Sequence, residues 1–280
     1  MPDVAPEYVA ARSVLLDAIE ALGSQREAII VVGAQAVYLR TGDAGITGVA
    51  PYTTDADLGL APARLAAEPH IEKLMSDADF KQKGDPGVWW KTVAIEGTQT
   101  DIEVDIMVPE RYAPAGGRRS VRLPPHGKMI ARKAIGLEGS IIDHDLTEVA
   151  ALDSSDTRRF TVRVAGPAAL VVAKVYKLRD RLAEGKADRI ADKDAADVYR
   201  LMLAVPVSEF LLRLRPLVAD KTAAPVCREA IDLMARFFGA RRAEGVRMAV
   251  DALRVAVPPE RVADVCTGFV HFVTANLESG

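Results

Sequence analysis

Asp55 and Asp57, in the run Tyr52-Thr53-Thr54-Asp55-Ala56-Asp57-Leu58-Gly59-Leu60, are the residues whose types and spacing best suit chemistry. Side chains alternate along an extended strand, so residues i and i+2 present both carboxylates on one face. Oxygen ligands on such a rigid support suit Mg²⁺, which keeps several waters and commonly serves bound phosphates. An Asp-x-Asp alone also reads as an acidic turn ending a strand, so its meaning rests on its partners. A third acid is available in Asp101-Ile102-Glu103-Val104-Asp105-Ile106-Met107-Val108, where period two sets Asp101, Glu103 and Asp105 against Ile102, Val104 and Ile106. Asp101 and Glu103 read as solvated acids of an edge strand. If the two strands are neighbours, Asp105 joins Asp55 and Asp57; three clustered carboxylates repel and call for a cation. Two metals so held activate an attacking oxygen and stabilise the leaving one.

The elements that must position these groups are legible upstream and downstream. Val9 to Leu22 has helical periodicity, with Gly23 where a C-capping glycine belongs. Ala28 to Val32 is a β-branched run stopped by Gly33, and Ala34 to Leu39 reads as a helix: strand, glycine turn, helix. Thr41 to Pro51 reads as a flexible loop and Leu65 to Ala78 as a helix. Val88 to Ile95 and Asp101 to Val108 form an antiparallel hairpin through Glu96-Gly97-Thr98-Gln99. A short helix is expected around Lys128 to Ile135 and a strand at Phe160 to Val164. From Pro167, an N1 proline, the pattern is helical: to about Ala183, then near Asp194 to Leu203, Val207 to Leu217, Val226 to Phe238, Arg241 to Val255, and from Pro258-Pro259 to about Asn276.

Composition narrows the class. The 280 residues are 49% hydrophobic and 27% charged, which excludes general disorder, and no apolar run approaches the roughly 20 residues that cross a bilayer. No membrane association is expected. Met1 to Glu7 lacks the pattern of a secretory signal, and Cys227 and Cys266 are too few for a disulfide framework or zinc site, so a cytoplasmic location and core thiols are expected. The net charge of −3 conceals a segment, Arg111 to Leu137, with no Asp or Glu; it carries Arg111, Arg118, Arg119, Arg122, Lys128, Arg132 and Lys133, with Gly116-Gly117 at its centre. Beside an acidic metal site such a stripe suits a polyanionic substrate; taken alone, it is as readily a solvated loop. His126 within it reads as solvated. Trp89 and Trp90 alternate in their strand, and core burial is expected for both, though one would be placed to stack on a base.

The strand, the turn Val31-Val32-Gly33-Ala34-Gln35, Asp-x-Asp about twenty residues on, and a later Asp resemble the DNA polymerase β-like nucleotidyltransferases, more closely the AbiEii/MenT toxins. Gly166-Pro167-Ala168-Ala169-Leu170, then Lys174, Arg181 and Lys193-Asp194-Ala195-Ala196-Asp197-Val198-Tyr199, are similar to that group's helix bearing a functional Lys and to its (Arg/Lys)-Asp-x-x-Asp helix start. The likeness spans roughly residues 28 to 200. It implies an α+β fold: a nucleotidyltransferase-like mixed sheet flanked by helices over 1–165, then an all-helical C-terminal module over 166–280. It also implies an enzyme that uses Mg²⁺ or Mn²⁺ and moves an NMP from an NTP to the 3′ end of tRNA or another RNA acceptor, as a toxin restrained by a cognate antitoxin. Asp55, Asp57 and Asp105 would hold metal, Asp105 serving as base. Lys174 and Asp194 would be catalytic, with Asp194 fixing Lys174 or a metal-bound water. Gly33, Ala34, Thr54, Lys174 and Arg181 would contact the nucleotide. Two departures stand out: Ala34 where relatives commonly have Gly or Ser, so a hydroxyl contact is lost, and Pro51-Tyr52 where relatives often carry Arg. Backbone N–H groups at the start of the helix can still cradle phosphate. Lys177 reads as a solvated residue. Phosphorylation of Thr53 or Thr54 would set negative charge beside the carboxylates and repel a triphosphate. A nucleotidyltransferase acting on a small molecule, and a catalytically silent nucleotide- or RNA-binding protein, are the alternatives.

Overall fold

Ile29–Val32 (β1) and Asp55–Leu60 (β2) pair antiparallel, with Val32 opposite Asp57. The computed structural model describes residues 4–46, 51–114, 119–184 and 189–277. Gly116-Gly117 and Arg118 of the basic segment, part of the loop before Pro51, and part of the charged stretch after Glu184 lie outside the described residues. Pro6–Ala21 (α1) precedes β1, and Gly33–Thr41 (α2) follows it. The helix and the six-residue 3-10 turn Gly23–Ala28 meet at Leu22, so Gly23 opens that turn instead of capping α1 in the left-handed conformation.

The chain divides into two units. The first holds Met1–Ala36, Pro51–Ala134 and His144–Ala165; the second holds Val37–Ala50, Ile135–Asp143 and Gly166–Gly280. The first unit is built on one mixed sheet that also contains Lys81–Gln82 (β3), Val88–Ile95 (β4), Thr98–Pro109 (β5), Arg132–Ala134 (β6), His144–Ala150 (β7) and Arg159–Ala165 (β8). Its order is β3-β4-β5-β2-β1-β8-β7, with β6 also pairing β5. The β4–β5 hairpin closes through Glu96 and Gly97, both at positive φ, a two-residue connection tighter than the four residues read from sequence. β6 replaces the helix expected around Lys128 to Ile135. It pairs parallel with Met107 to Pro109, continuing along the β5 edge that β4 leaves at Val88. Gly87 makes that handover possible, since a Cβ there would lie 2.5 Å from the Ile106 carbonyl and 2.6 Å from the Arg132 amide.

The apolar face of this sheet follows the predicted alternation: Ala56, Leu58, Trp89, Ile102, Val104 and Ile106 are buried together with α1 residues Val14, Leu15, Ala18 and Ile19. Each buried Val, Leu or Ile among them contributes about 1.5–3 kcal/mol. The helix read as Leu65 to Ala78 shortens to Ile71–Asp77 (α3), because Pro69, just ahead of it, has no amide hydrogen and restricts Glu68 before it. His126 is not solvated. It is buried, accepts the Ile71 amide hydrogen on Nδ1 at 3.2 Å and meets the Ala66 carbonyl through Nε2 at 2.8 Å, tying the basic segment to the start of α3.

The helical unit contains Pro167–Ala183 (α4), Arg189–Ala204 (α5), Val207–Ala219 (α6), Ala224–Phe238 (α7), Glu244–Leu253 (α8) and Pro259–Asn276 (α9). Phe210 and Phe269 cross edge to face at 4.9 Å between α6 and α9. Cys227 and Cys266 are buried, unbridged thiols that burial pushes up to about 12. Asp143 fixes the start of α4: its Oδ2 accepts the Ala169 amide hydrogen at 3.0 Å and its Oδ1 an Arg213 N–H at 2.9 Å. Gly166 must be glycine, since a Cβ would fall 1.9 Å from Asp143 Oδ1. Replacing Asp143 by Ala is expected to remove the cap and leave Arg213 with Glu209 but without its buried partner, lowering stability by roughly 1–3 kcal/mol, read as a reduced urea midpoint at unchanged m-value.

Candidate active site

The carboxylates predicted from sequence are assembled by register. β2 and β5 pair in parallel with Asp55 opposite Glu103 and Asp57 opposite Asp105, so four acidic side chains share one face. Glu103, read from sequence as solvated, is half-buried in this row. Asp101 is exposed, as expected, and bound to Thr92 and Lys83. Trp90, opposite Glu103, lies on the same face and is half-buried, while Trp89 is a core residue donating to the Ile130 carbonyl at 3.2 Å.

Gly33 sets how deep Asp57 sits. The glycine is at φ 70°, and a Cβ there would lie 1.8 Å from Asp57 Oδ2. The carboxylate therefore lies over the turn at the start of α2, in space only a glycine leaves. Ala34 is buried beside it. Gln35, which sequence reading passed over, carries the next layer: its amide nitrogen donates to the Ala11 carbonyl at 3.1 Å and the Asp55 carbonyl at 3.0 Å, and its oxygen accepts from Arg12 Nε at 2.7 Å. Arg12 is itself buried and also donates to the Ala150 carbonyl at 3.0 Å and the Tyr8 hydroxyl at 3.1 Å. In sequence Gln35 and Arg12 are polar positions of helical segments, with no local signal for this support. Thr53 is fully buried and donates to Asp55 Oδ1, which shuts it off from a modifying enzyme; Thr54 is exposed.

Asp105 is held by Arg132, with Nη2 2.5 Å from Oδ2 and Nε 3.3 Å from Oδ1. Burial disfavours the guanidinium, but its bonds to Asp105 and the charges of Asp105, Asp57 and Glu103 outweigh that and raise its pKa. A cavity of about 290 Å³ opens beside the pair, lined by Asp85, Glu103, Asp105, Arg119, Arg132 and Lys133 among others. A second, of about 240 Å³, lies at the other end of the row beside Thr54, Asp55, Trp90 and Glu103.

In the helical unit Lys174, Asp194 and Asp197 form a buried ion cluster, with Lys174 Nζ 2.7 Å from Asp194 Oδ1 and 2.6 Å from Asp197 Oδ2. Arg181 Nη1 lies 3.0 Å from Asp194 Oδ2, and Lys177 is exposed. Asp197 was not singled out from the sequence, although it stands in the same short motif. That motif does not start its helix, since α5 begins at Arg189 and Asp194 falls in its second turn. Burial opposes the Lys174 ammonium, yet the two aspartates raise its pKa; burial opposes the Asp194 carboxylate, yet Lys174, Lys177 and Arg181 lower it.

A family model described as Nucleotidyltransferase matches residues 11–214, more than half of the chain. The chain belongs to this nucleotidyltransferase family. No curated protein and no solved structure matches it. The mixed sheet with flanking and C-terminal helices is the architecture expected of such an enzyme. Nucleotidyltransferases transfer an NMP from an NTP and in general use divalent metals. Among the described residues no three His, Cys, Asp or Glu side chains are grouped so as to hold one ion. The donor chemistry of Asp55 and Asp57 fits a hard cation that takes two carboxylates and keeps its remaining waters. The expected third ligand, Asp105, is engaged by Arg132 instead.

Two outcomes follow for the nucleotidyltransferase. Gly33→Ala must push the Asp57 carboxylate aside, so transfer should fall by about 100-fold, while a folded protein remains in melting curves. Lys174→Met removes the ammonium shared by two buried carboxylates, leaving Asp194 only its Arg181 contact, and should cost about 3–5 kcal/mol at pH 7, measured by urea unfolding. Folding lowers the Asp194 pKa, so its contribution is complete above the unfolded carboxylate value of about 3.9 and is lost as pH falls through the folded value. Folding raises Lys174, whose contribution is complete below about 10.4 and is lost only as pH rises through the folded value. The deficit of Lys174→Met should accordingly shrink at pH 3.

Proposed function

We propose that this nucleotidyltransferase moves an NMP from an NTP to the 3′ end of a tRNA, as the toxin of a toxin–antitoxin pair. The observation that carries the reading is the carboxylate row of β2 and β5, seated over the Gly33 turn beside a cavity lined by Arg119, Arg132 and Lys133. Cations at the mouth of an acidic row suit a substrate that brings its own phosphates, and they give a polyanionic acceptor a place to lie. The NTP's phosphates meet these cations whatever the acceptor; a polyanionic acceptor also accounts for the length of the basic segment from Arg111 to Lys133, which a small one does not.

Asp55 and Asp57 would hold a divalent ion, Mg²⁺ or Mn²⁺. When bound, it would activate the attacking hydroxyl and stabilise the departing pyrophosphate. The protein's own residues do the rest. Gly33 and the Gln35–Arg12 pair orient the aspartates, and Asp105 takes the proton of the acceptor hydroxyl. The exposed Thr54 and the amide groups opening α2 face the nucleotide. Lys174, Arg181 and Asp194, to which the family resemblance gave nucleotide-side roles, form their own ion cluster with Asp197 within the helical unit. No helix among the described residues is long and apolar enough to cross a membrane, and tRNA blocked at its 3′ end could not be aminoacylated.

The test is incubation of purified protein with bulk tRNA, Mg²⁺ and each labelled NTP in turn. Label should enter tRNA, with a rate that falls steeply as salt rises, and Asp57→Ala should abolish it. Label found only in small acceptors would replace the tRNA reading. Incorporation into neither would indicate a silent binding protein, and full transfer by Asp57→Ala would remove the metal assignment.

A further inference from the structure

Arg132 was only one member of a basic stripe in the sequence, but the fold gives it a specific position. It stands opposite Met107 in the parallel β5–β6 pair, and Met107 is two residues beyond Asp105, so Arg132 and Asp105 share a face one step apart. The guanidinium touches both oxygens of Asp105, and the charges of Asp57 and Glu103 also act on it. A carboxylate that accepts a guanidinium at both oxygens keeps fewer lone pairs for a metal ion at about 2.1 Å, and a cation arriving there would meet the positive charge already in place. Asp105 is largely buried, whereas the Arg132 side chain is 35% exposed and borders the cavity with Arg119 and Lys133. Its head can therefore leave Asp105 for an anion in that cavity.

We propose that Arg132 is the resident counter-ion of Asp105 and competes with divalent metal for it. Without substrate the row takes metal through Asp55 and Asp57 alone. A nucleotide phosphate entering the cavity draws Arg132 off, and Asp105 becomes free to serve the reaction. Arg132 is thus a positioning residue that makes the complete site depend on bound nucleotide. The proposal rests on the assignment of the row to metal given above.

The experiment is Mn²⁺ titration, followed by the electron paramagnetic resonance signal of free Mn²⁺, on wild type, Arg132→Gln, Arg132→Lys and Asp57→Asn. Melting curves check that each variant is folded. Without nucleotide, Arg132→Gln should bind an additional Mn²⁺ or bind at least about 10-fold more tightly than wild type. Arg132→Lys, which keeps the charge and loses the fork, should fall between them and carries the test if Arg132→Gln does not fold. With a non-hydrolysable NTP analogue saturating both proteins, wild type and Arg132→Gln should converge. Titration of Arg132→Gln that superimposes on wild type without nucleotide, or a gap that persists with the analogue, overturns the proposal. If Asp57→Asn binds Mn²⁺ as wild type does, or no protein binds it in either state, the metal reading itself fails, whatever Arg132 does.

Discussion

Like charges on one face of paired strands repel, and the first unit is organised around that repulsion. The parallel pairing of β2 with β5 sets Asp55 against Glu103 and Asp57 against Asp105, and like charges directly opposite destabilise a sheet. The remedies lie in the surrounding elements. Asp57 is seated at the start of α2, where a helix favours negative charge; Asp55 accepts from Thr53; Asp105 is bound by Arg132. Each remedy requires a particular backbone feature: a glycine at positive φ, a buried threonine just ahead of the strand, and a short parallel strand arriving at the right edge.

The helical unit handles charge differently. Lys174, Asp194 and Asp197 are taken out of water together, which costs each ion its hydration and returns it only through close contacts of 2.6–2.7 Å. An apolar cluster of similar volume would serve stability as well or better. A lysine held between two aspartates nevertheless has one orientation and a fixed charge, which joins α4 to α5 in a single register.

The parts of this arrangement visible in sequence were those that a period of two or 3.6 reveals. Asp55, Asp57 and Asp105 fell on one face because strand alternation is local, and Lys174 fell in a helix because Pro167 opens it and an apolar pattern follows. The missed or misread pieces depend on distant chain. Arg132 lies in a three-residue strand too short to show any period, and its meaning comes only from Met107, 25 positions earlier. His126 looked like a loop residue because Ile71 and Ala66, which use its two nitrogens, are 55 and 60 positions away. Gln35 and Arg12 resembled polar faces of amphipathic helices, and nothing local marked them as buried. β7 was not seen because His144 to Ala150 is mostly polar and reads as loop until β8 pairs with it.

The pairing of β5 with β6 spans only Met107 to Pro109, yet it decides which basic side chain the acids meet. A slip of one residue would turn Arg132 to the opposite face and present its neighbour, Lys133 or Ala131, in its place. Lys133 would preserve the charge and abandon the two-point grip; Ala131 would abolish both. The identity of the cation facing Asp105 is therefore written in strand alignment as much as in amino-acid type. Gly87, wedged where β4 yields the edge to β6, is the residue that keeps that alignment legible.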